Sequence, residues 1–289
     1  MRLAVLSDIH GNLVALEAVL SDLQQYTVDG VLVAGDIVVG GPQPAETLQR
    51  LRALGSILIR GNADQALLQY AAGKAPASQA TAQQFALLRW TRRQVDQEAV
   101  DFLASLPEQR VVALAGTDPI RMVHGSPRHL SERIFPERDP ALLDLVLAQI
   151  SEPVMVCGHT HIPWWIERNG CLALNPGSVG SPLNGIVGAQ YALLNWTGEG
   201  WQAKLIAIPY DLEPLRQACQ ANGFLSDGGA FARLCLLSVE TGQDVLDDFF
   251  AYASGLAEQA GYAECDHIPD DIWEQAVKTF SWERYGRPG

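Results

Sequence analysis

The stretch Leu3-Ala4-Val5-Leu6-Ser7-Asp8-Ile9-His10-Gly11-Asn12-Leu13 decides how this chain is read. Four apolar residues in a row, bounded by polar ones, fit a short buried strand. Asn12 suits a helix N-cap, because its side-chain oxygen accepts from a free amide of the first turn. Behind it Leu13, Leu16, Val19, Leu20 and Leu23 recur at helical spacing. An aspartate and a histidine therefore sit at the end of a strand, where a parallel sheet presents its functional groups.

Working outward, residues 31–34 read as a second strand, 44–54 as a helix and Ile57–Ile59 as a third strand. This βαβαβ order predicts right-handed crossovers and parallel strands at the centre of a sheet. A helical stretch rich in Ala and Gln spans 64–106, broken near 73–76. Strands resume at 111–114, 120–123, 154–157, 164–167, 171–174, 191–194 and 204–208. Turns such as Arg168-Asn169-Gly170 predict hairpins and a second, more antiparallel sheet. Past Pro209 the pattern is helical: 211–221, a glycine-rich link at Asp227-Gly228-Gly229, a helix near 241–260 and a last one from about Pro269. The expected division is residues 1–210 followed by a helical appendage, 211–289, serving as a cap or an oligomerisation element.

At 289 residues, with 48% hydrophobic and 18% charged side chains, the chain is that of a folded globular protein and not a disordered one. A net charge of −13 argues against coating duplex nucleic acid, which needs Lys and Arg to displace counterions. It leaves open a small anion held by metal ions. Five cysteines, Cys157, Cys171, Cys219, Cys235 and Cys265, lie far apart and read as reduced thiols. No leader pattern precedes the first strand, and the longest apolar stretch, 31–41, is interrupted by Asp36. No membrane span is expected, and the cytoplasm is the expected compartment.

Five polar motifs fall at strand ends: Asp8-Ile9-His10, Gly35-Asp36, Gly61-Asn62, His124-Gly125 and Gly158-His159-Thr160-His161. They hold four of the six histidines. Alone, each has a plainer reading, as a cap, a turn or a hydrogen-bonded core histidine. Together they offer carboxylate, imidazole and amide oxygen donors without a thiolate, a set suited to Mn²⁺, Fe²⁺ or Zn²⁺. Seven groups exceed the needs of one such ion but fit two sharing a carboxylate and a water, a clamp for phosphoryl transfer. The glycines beside them let backbone segments approach closely.

In this order the motifs resemble those of the calcineurin-like metallophosphoesterase superfamily, especially its small bacterial and archaeal phosphodiesterase-type members. Asn175-Pro176-Gly177-Ser178-Val179-Gly180 and Tyr191-Ala192-Leu193-Leu194 add to the likeness, which covers about residues 1–210. The resemblance implies a four-layer α/β/β/α sandwich of two facing mixed sheets. It implies one metal on Asp8, His10, Asp36 and His161, and another on Asp36, Asn62, His124 and His159, with Asp36 bridging. The implied cofactor is two divalent ions, manganese first, with iron or zinc as alternatives. The implied reaction is attack of a bridging hydroxide on a small phosphodiester or dinucleoside polyphosphate, with Asp36, His124 and His159 at the catalytic centre. Phosphomonoesterase or protein phosphatase activity, or a metal-binding scaffold without turnover, are the alternatives, and a homodimer is compatible.

The informative departure is Ala63, where protein phosphatases and nucleases of this superfamily carry a histidine that protonates the leaving oxygen. Losing a general acid costs about 10²–10⁴-fold for a leaving group that needs a proton. Good leaving groups, in diesters or anhydrides, are therefore favoured. His129 is a candidate replacement acid. Asn12, Arg60 and Arg128 are candidate substrate contacts, against plainer roles as a cap or as partners of Asp64 and Glu132. Asn175 is a candidate for orienting a ligand histidine. Cys157 reads as a small buried hydrophobe, and Trp164 and Trp165 as packing residues or a base-stacking platform.

Overall fold

Alternation along β1 (Arg2–Leu6) separates two cores: Leu3 and Val5 face one way, Ala4 and Leu6 the other. The computed structural model describes residues 1–262 and 266–286, and Cys265 lies outside the described residues. From the N-terminus, β1 is followed by α1 (Leu13–Leu23), β2 (Gly30–Ala34), α2 (Pro44–Ala53), β3 (Ile57–Ile59) and α3 (Asn62–Ala71). Three short helices, α4 (Ser78–Thr81), α5 (Ala86–Gln94) and α6 (Gln97–Ser105), lead to β4 (Gln109–Val112) and β5 (Ile120–Val123). Then come α7 (Pro140–Leu147), β6 (Val154–Val156), β7 (Trp164–Arg168), β8 (Cys171–Asn175), β9 (Ala189–Trp196) and β10 (Trp201–Ile208). The last helices are α8 (Glu213–Ala221), α9 (Phe224–Thr241), α10 (Val245–Gln259) and α11 (Asp270–Thr279).

Two five-stranded sheets result, ordered β10-β9-β1-β2-β3 and β4-β5-β6-β8-β7. Strands β1, β2 and β3 run parallel, with β9 antiparallel to β1. The sheets meet through Leu3, Val5, Leu32 and Ile59 on one side and Ile120, Met122, Val156 and Leu174 on the other. Outside the first sheet, Leu6 and Val33 pack on Leu16 and Val19 of α1 and Leu48 and Leu51 of α2. Outside the second, Val123, Met155 and Ala173 pack on Leu143 and Val146 of α7. The layers are therefore α/β/β/α.

Two sequence expectations need correcting. The second sheet is antiparallel only at its edges, since β5, β6 and β8 run parallel. Helix α7, capped by Asp139 through Leu142 N at 2.9 Å, supplies the crossover between β5 and β6 that a parallel pair requires. The expected link at Asp227-Gly228-Gly229 lies within α9, which bends at Gly229 (φ 67°). A Cβ on Gly228 would come within 2.8 Å of Ala232 Cβ and 3.1 Å of a Leu87 methyl. These glycines thus serve the close approach of α9 to α5. Helices α8 and α9 share a core with Leu87 and Trp90 of α5, while α10 and α11 pack around Phe249 and Trp273. Among the described residues no helix is long and apolar enough to cross a membrane, and the four described cysteines are free and buried.

Candidate metal centre

Each ligand candidate lies just beyond the C-terminal end of a strand. β1 leads to Asp8 and His10, β2 to Asp36, β3 to Asn62, β5 to His124, and β6 to His159 and His161. Asp8, His10, Asp36, His159 and His161 have φ of 52°, 52°, 51°, 67° and 58°, five of the six described non-glycine residues in the left-handed region. Such conformations cost about 1–3 kcal/mol each and persist where the surroundings over-determine them. Cross-strand bonds do so here: Asp8 N donates to Gly35 O at 3.1 Å, His10 N to Asp36 O at 2.9 Å and Gly158 N to His124 O at 2.7 Å. Gly35 must itself lack a side chain, because a Cβ there would sit 2.7 Å from His124 Nδ1 and from Gly61 N.

The side chains gather into two groups, Asp8, His10 and His161, and Asp36, His124 and His159, with the donor atoms of each group within 4.8 Å of one another. Asp36 joins them, its Oδ2 lying 3.3 Å from His124 Nε2 and 3.8 Å from His10 Nε2. Three rings are oriented by backbone carbonyls. Nδ1 of His10 donates to Val39 O at 2.5 Å, that of His161 to Ser181 O at 2.6 Å and that of His124 to Ala34 O at 2.7 Å. With Nδ1 so engaged, each ring turns its Nε2 toward the centre, the arrangement usual for metal-ligating histidine. His10 Nε2 then faces His161 Nε2 at 3.1 Å, and His124 Nε2 faces Asn62 Oδ1 at 2.9 Å. Each contact closes through a proton on one ring nitrogen, or through a cation that both donors share. Asp8 sharpens the case: Oδ2 accepts from His159 N at 3.0 Å, while the buried Oδ1 meets no formal hydrogen bond and faces only ring nitrogens, His161 Nε2 at 3.3 Å nearest. An orphaned carboxylate oxygen among inward-facing ring nitrogens fits a divalent ion.

Proton affinities of the metal-free groups carry the same signature. Burial disfavours charge on His124, yet the Asp36 and Asp8 carboxylates outweigh it and raise the ring to about 10. Burial likewise opposes a proton on His161, and Asp8 overcomes it. His10 and His159 go the other way, lowered by burial and by the neighbouring His161 and His124 charges, His159 to about 4. One ring in each group, His124 and His161, thus holds a proton more tightly than a free imidazole, in the space where a metal would supply the positive charge. Asp8, although burial would raise it, is held at about 2 by His161 and His124, and Asp36 is held lower still, again against burial, chiefly by His124.

Around this centre lies a rigid polar shell. Asp64, fully buried, accepts from Ile37 N and Gly61 N, both at 3.0 Å, and so ties the Asp36 loop to the start of α3. Burial and the Asp36 charge raise its carboxyl to about 7. Asn175 Nδ2 donates to Gly158 O at 2.6 Å and Thr160 Oγ1 at 3.1 Å. It braces the backbone that carries His159 and His161 and touches neither ring.

Other candidates are placed differently. Asn12 borders the centre but acts as the α1 cap, accepting from Ala15 N at 3.0 Å while its amide donates to Gly180 O and Tyr210 Oη. Arg60 is not brought to the site. Its guanidinium donates to Leu106 O at 2.8 Å and Glu108 at 2.9 Å, on the far side of the strand end, so the expected partner Asp64 is also replaced. Arg128 pairs with Glu132 at 2.6 Å, and the exposed His129 accepts from Ser131 N. Neither lines the cavity over the metal centre. Trp164 packs against the α7 core and Trp165 is half exposed, both away from that cavity. Cys157 is buried beside Val123 and Met155. Sequence reasoning missed Arg133, Asp244 and Asp247, which line the cavity, because docking of α10 over the site leaves no local signature. Ala63 also lines it, its amide donating to Asp36 Oδ1 at 2.8 Å.

A layered sandwich with paired donor groups at its strand ends defines a metal-dependent phosphoester hydrolase, and comparison with known proteins agrees. Residues 1–199 match the calcineurin-like phosphoesterase superfamily domain, and the chain belongs to that superfamily. It is 30% identical over 205 residues to the phosphodiesterase YfcE of Escherichia coli, covering 68% of this chain and 88% of that protein. It is 29% identical over 228 residues to the uncharacterized protein MJ0912 of Methanocaldococcus jannaschii, covering 73% and 88%. The crystal structure of a metallophosphoesterase from Sphaerobacter thermophilus superposes with a TM-score of 0.67 at 29% identity, over 84% of this chain and all of that one.

Proposed function

We propose that the protein is a dinuclear-metal phosphodiesterase that hydrolyses a small phosphodiester or dinucleoside polyphosphate in the cytoplasm. The observation that carries this reading is the pair of donor groups sharing Asp36, each with its ring nitrogens turned toward the centre. Asp8, His10, Asp36 and His161 would hold one ion, and Asp36, Asn62, His124 and His159 the other. When bound, two such ions, manganese first among them, supply a hydroxide nucleophile at neutral pH and neutralise the phosphoryl oxygens. The chain itself keeps the histidine rings oriented through Val39, Ala34 and Ser181 and holds Asp36 through the Ala63 amide. The Ala63 methyl stands where a proton donor to the leaving oxygen would be useful, which favours leaving groups that depart as stable anions. Diesters with such groups fit better than serine phosphates. Lining of the same cavity by Leu215, Phe224 and Leu246 supports the helices of 211–289 as a cap over a metallophosphoesterase domain of 1–210.

Metal-stripped protein, assayed before and after adding Mn²⁺, tests the reading with bis-p-nitrophenyl phosphate and p-nitrophenyl phosphate side by side. Metal-dependent cleavage favouring the diester is expected. Preference for the monoester would make the protein a phosphomonoesterase, and no turnover with two ions bound would point to a capped site demanding its own substrate or to a scaffold.

A further inference from the structure

The cavity over the metal centre, about 270 Å³, has two unlike ends. His10, Asp36, Asn62, His159 and His161 line one end. The walls of the other come from the C-terminal helices: Leu215 of α8, Phe224, Phe231, Leu236 and Val239 of α9, and Leu246 of α10. Cys219 and Cys235 complete that wall, and burial pushes both thiols up to about 12, so they remain neutral and line it as small hydrophobes. Asp244 and Asp247 also border the cavity, near enough to His161 and His159 respectively to interact with their charges. Among the described lining residues Arg133 is the one lysine or arginine, and it is committed to Asp247 through two contacts of 2.5 and 3.0 Å.

We propose that the helical end of this cavity is a binding site for one ester arm of the substrate, and that the substrate is a phosphodiester whose arm is compact, apolar and uncharged. This rests on the phosphodiesterase reading above. A phosphoryl group at the metal end places its nearest substituent against Leu, Phe and Val side chains, where apolar surface leaves water at a gain. A second phosphate at that position would find apolar side chains and neutral thiols and no uncommitted cation among the described lining residues, and an unpaired charge leaving water is heavily penalised. The size agrees, since 270 Å³ lies below the roughly 300–1,000 Å³ of sites for drug-sized ligands. Of the two substrate types considered above, the simple diester is favoured over the dinucleoside polyphosphate. The C-terminal helices thereby set specificity as well as covering the site.

The test uses the full-length, Mn²⁺-loaded protein and p-nitrophenyl methyl, butyl and hexyl phosphates. All three release the same leaving group, so only the arm varies. Expected is a rise in kcat/KM of up to about fourfold per methylene, carried by KM, until the chamber is full. Leu246→Asn, at a half-buried position, and the isosteric Val239→Thr should flatten that rise, lowering kcat/KM more for the hexyl than for the methyl ester. A second readout needs no turnover: calorimetry should find hexylphosphonate bound more tightly than methylphosphonate, with the difference reduced in both variants. Should a variant fail to fold, the wild-type series and the phosphonate pair still decide. Metal-dependent cleavage of the methyl ester with no gain along the series overturns the apolar subsite and leaves the phosphodiesterase reading intact. Absence of metal-dependent cleavage of any diester overturns that reading and the subsite with it.

Discussion

Gly158→Ala is a small change with a large expected consequence. A Cβ at that position would lie 2.0 Å from Ser7 Oγ and 2.8 Å from Asp8 Oδ2, where ordinary contact begins near 3.4 Å. Ser7 and Asp8 are both fully buried and cannot swing into solvent. The Ser7 hydroxyl must move by about 1.4 Å, the difference between those separations, losing its 3.3 Å bond to Ala34 O. Asp8 Oδ2 must move by about 0.6 Å, straining its bond to His159 N and displacing the orphaned Oδ1 from the centre. Overpacking of this kind costs about 1–3 kcal/mol in stability. A misplacement approaching 1 Å at a reacting centre costs about 10²-fold in rate. Calorimetric Mn²⁺ titration, turnover of bis-p-nitrophenyl phosphate and a thermal melt read the three effects. Gly170→Ala is the matched control. Gly170 has φ 76° but open space around it, so alanine there pays only the left-handed backbone cost of about 1–2 kcal/mol and leaves metal binding unchanged. A Gly158→Ala protein with wild-type Mn²⁺ affinity and turnover within twofold would refute the reasoning.

Asp36→Asn removes the charge common to both donor groups. Its turnover should fall by more than the roughly 10–100-fold that loss of an outer partner of a metal ligand costs, and near-normal turnover with two ions bound would exclude the shared role. Metal binding should also be proton-linked. Without metal, His124 at about 10 carries a proton at pH 7, which an ion must displace, and the raised His161 holds its proton more tightly than a free imidazole. Affinity therefore rises with pH through neutrality and falls on acidification; calorimetry in buffers of different ionisation enthalpy should find protons released on binding, and none would contradict it. Asp64→Asn should lower stability by about 1–3 kcal/mol in a thermal melt, because one of the buried amides of Ile37 or Gly61 loses its acceptor.

Much of the first sheet was legible because its signals are local. The apolar run of β1, the Asn12 cap and the leucine stripe of α1 each lie within a few residues of what they determine. The donor motifs were legible for the same reason, since a strand end places them wherever the strand goes. What escaped depends on distant packing. In α7, the run Leu142-Leu143-Asp144-Leu145-Val146-Leu147 is too short and too evenly apolar to show a helical period. In α9, a Gly-Gly pair that suggests a link instead admits the neighbouring α5. Arg60 and Arg128 were placed by nearness in sequence, but local acceptors, Leu106 O, Glu108 and Glu132, take their guanidinium groups. Arg133 and Asp247 meet across 114 residues, a contact that no motif announces.

Anomalous diffraction at the manganese edge, from crystals of the Mn²⁺-loaded protein, bears most directly on the proposed dinuclear centre. Two peaks about 3.5–4 Å apart are predicted, with Asp36 between them, Asp8, His10 and His161 around one, and Asn62, His124 and His159 around the other. A single peak in that space, or a second peak bound elsewhere without contact to Asp36, would contradict it.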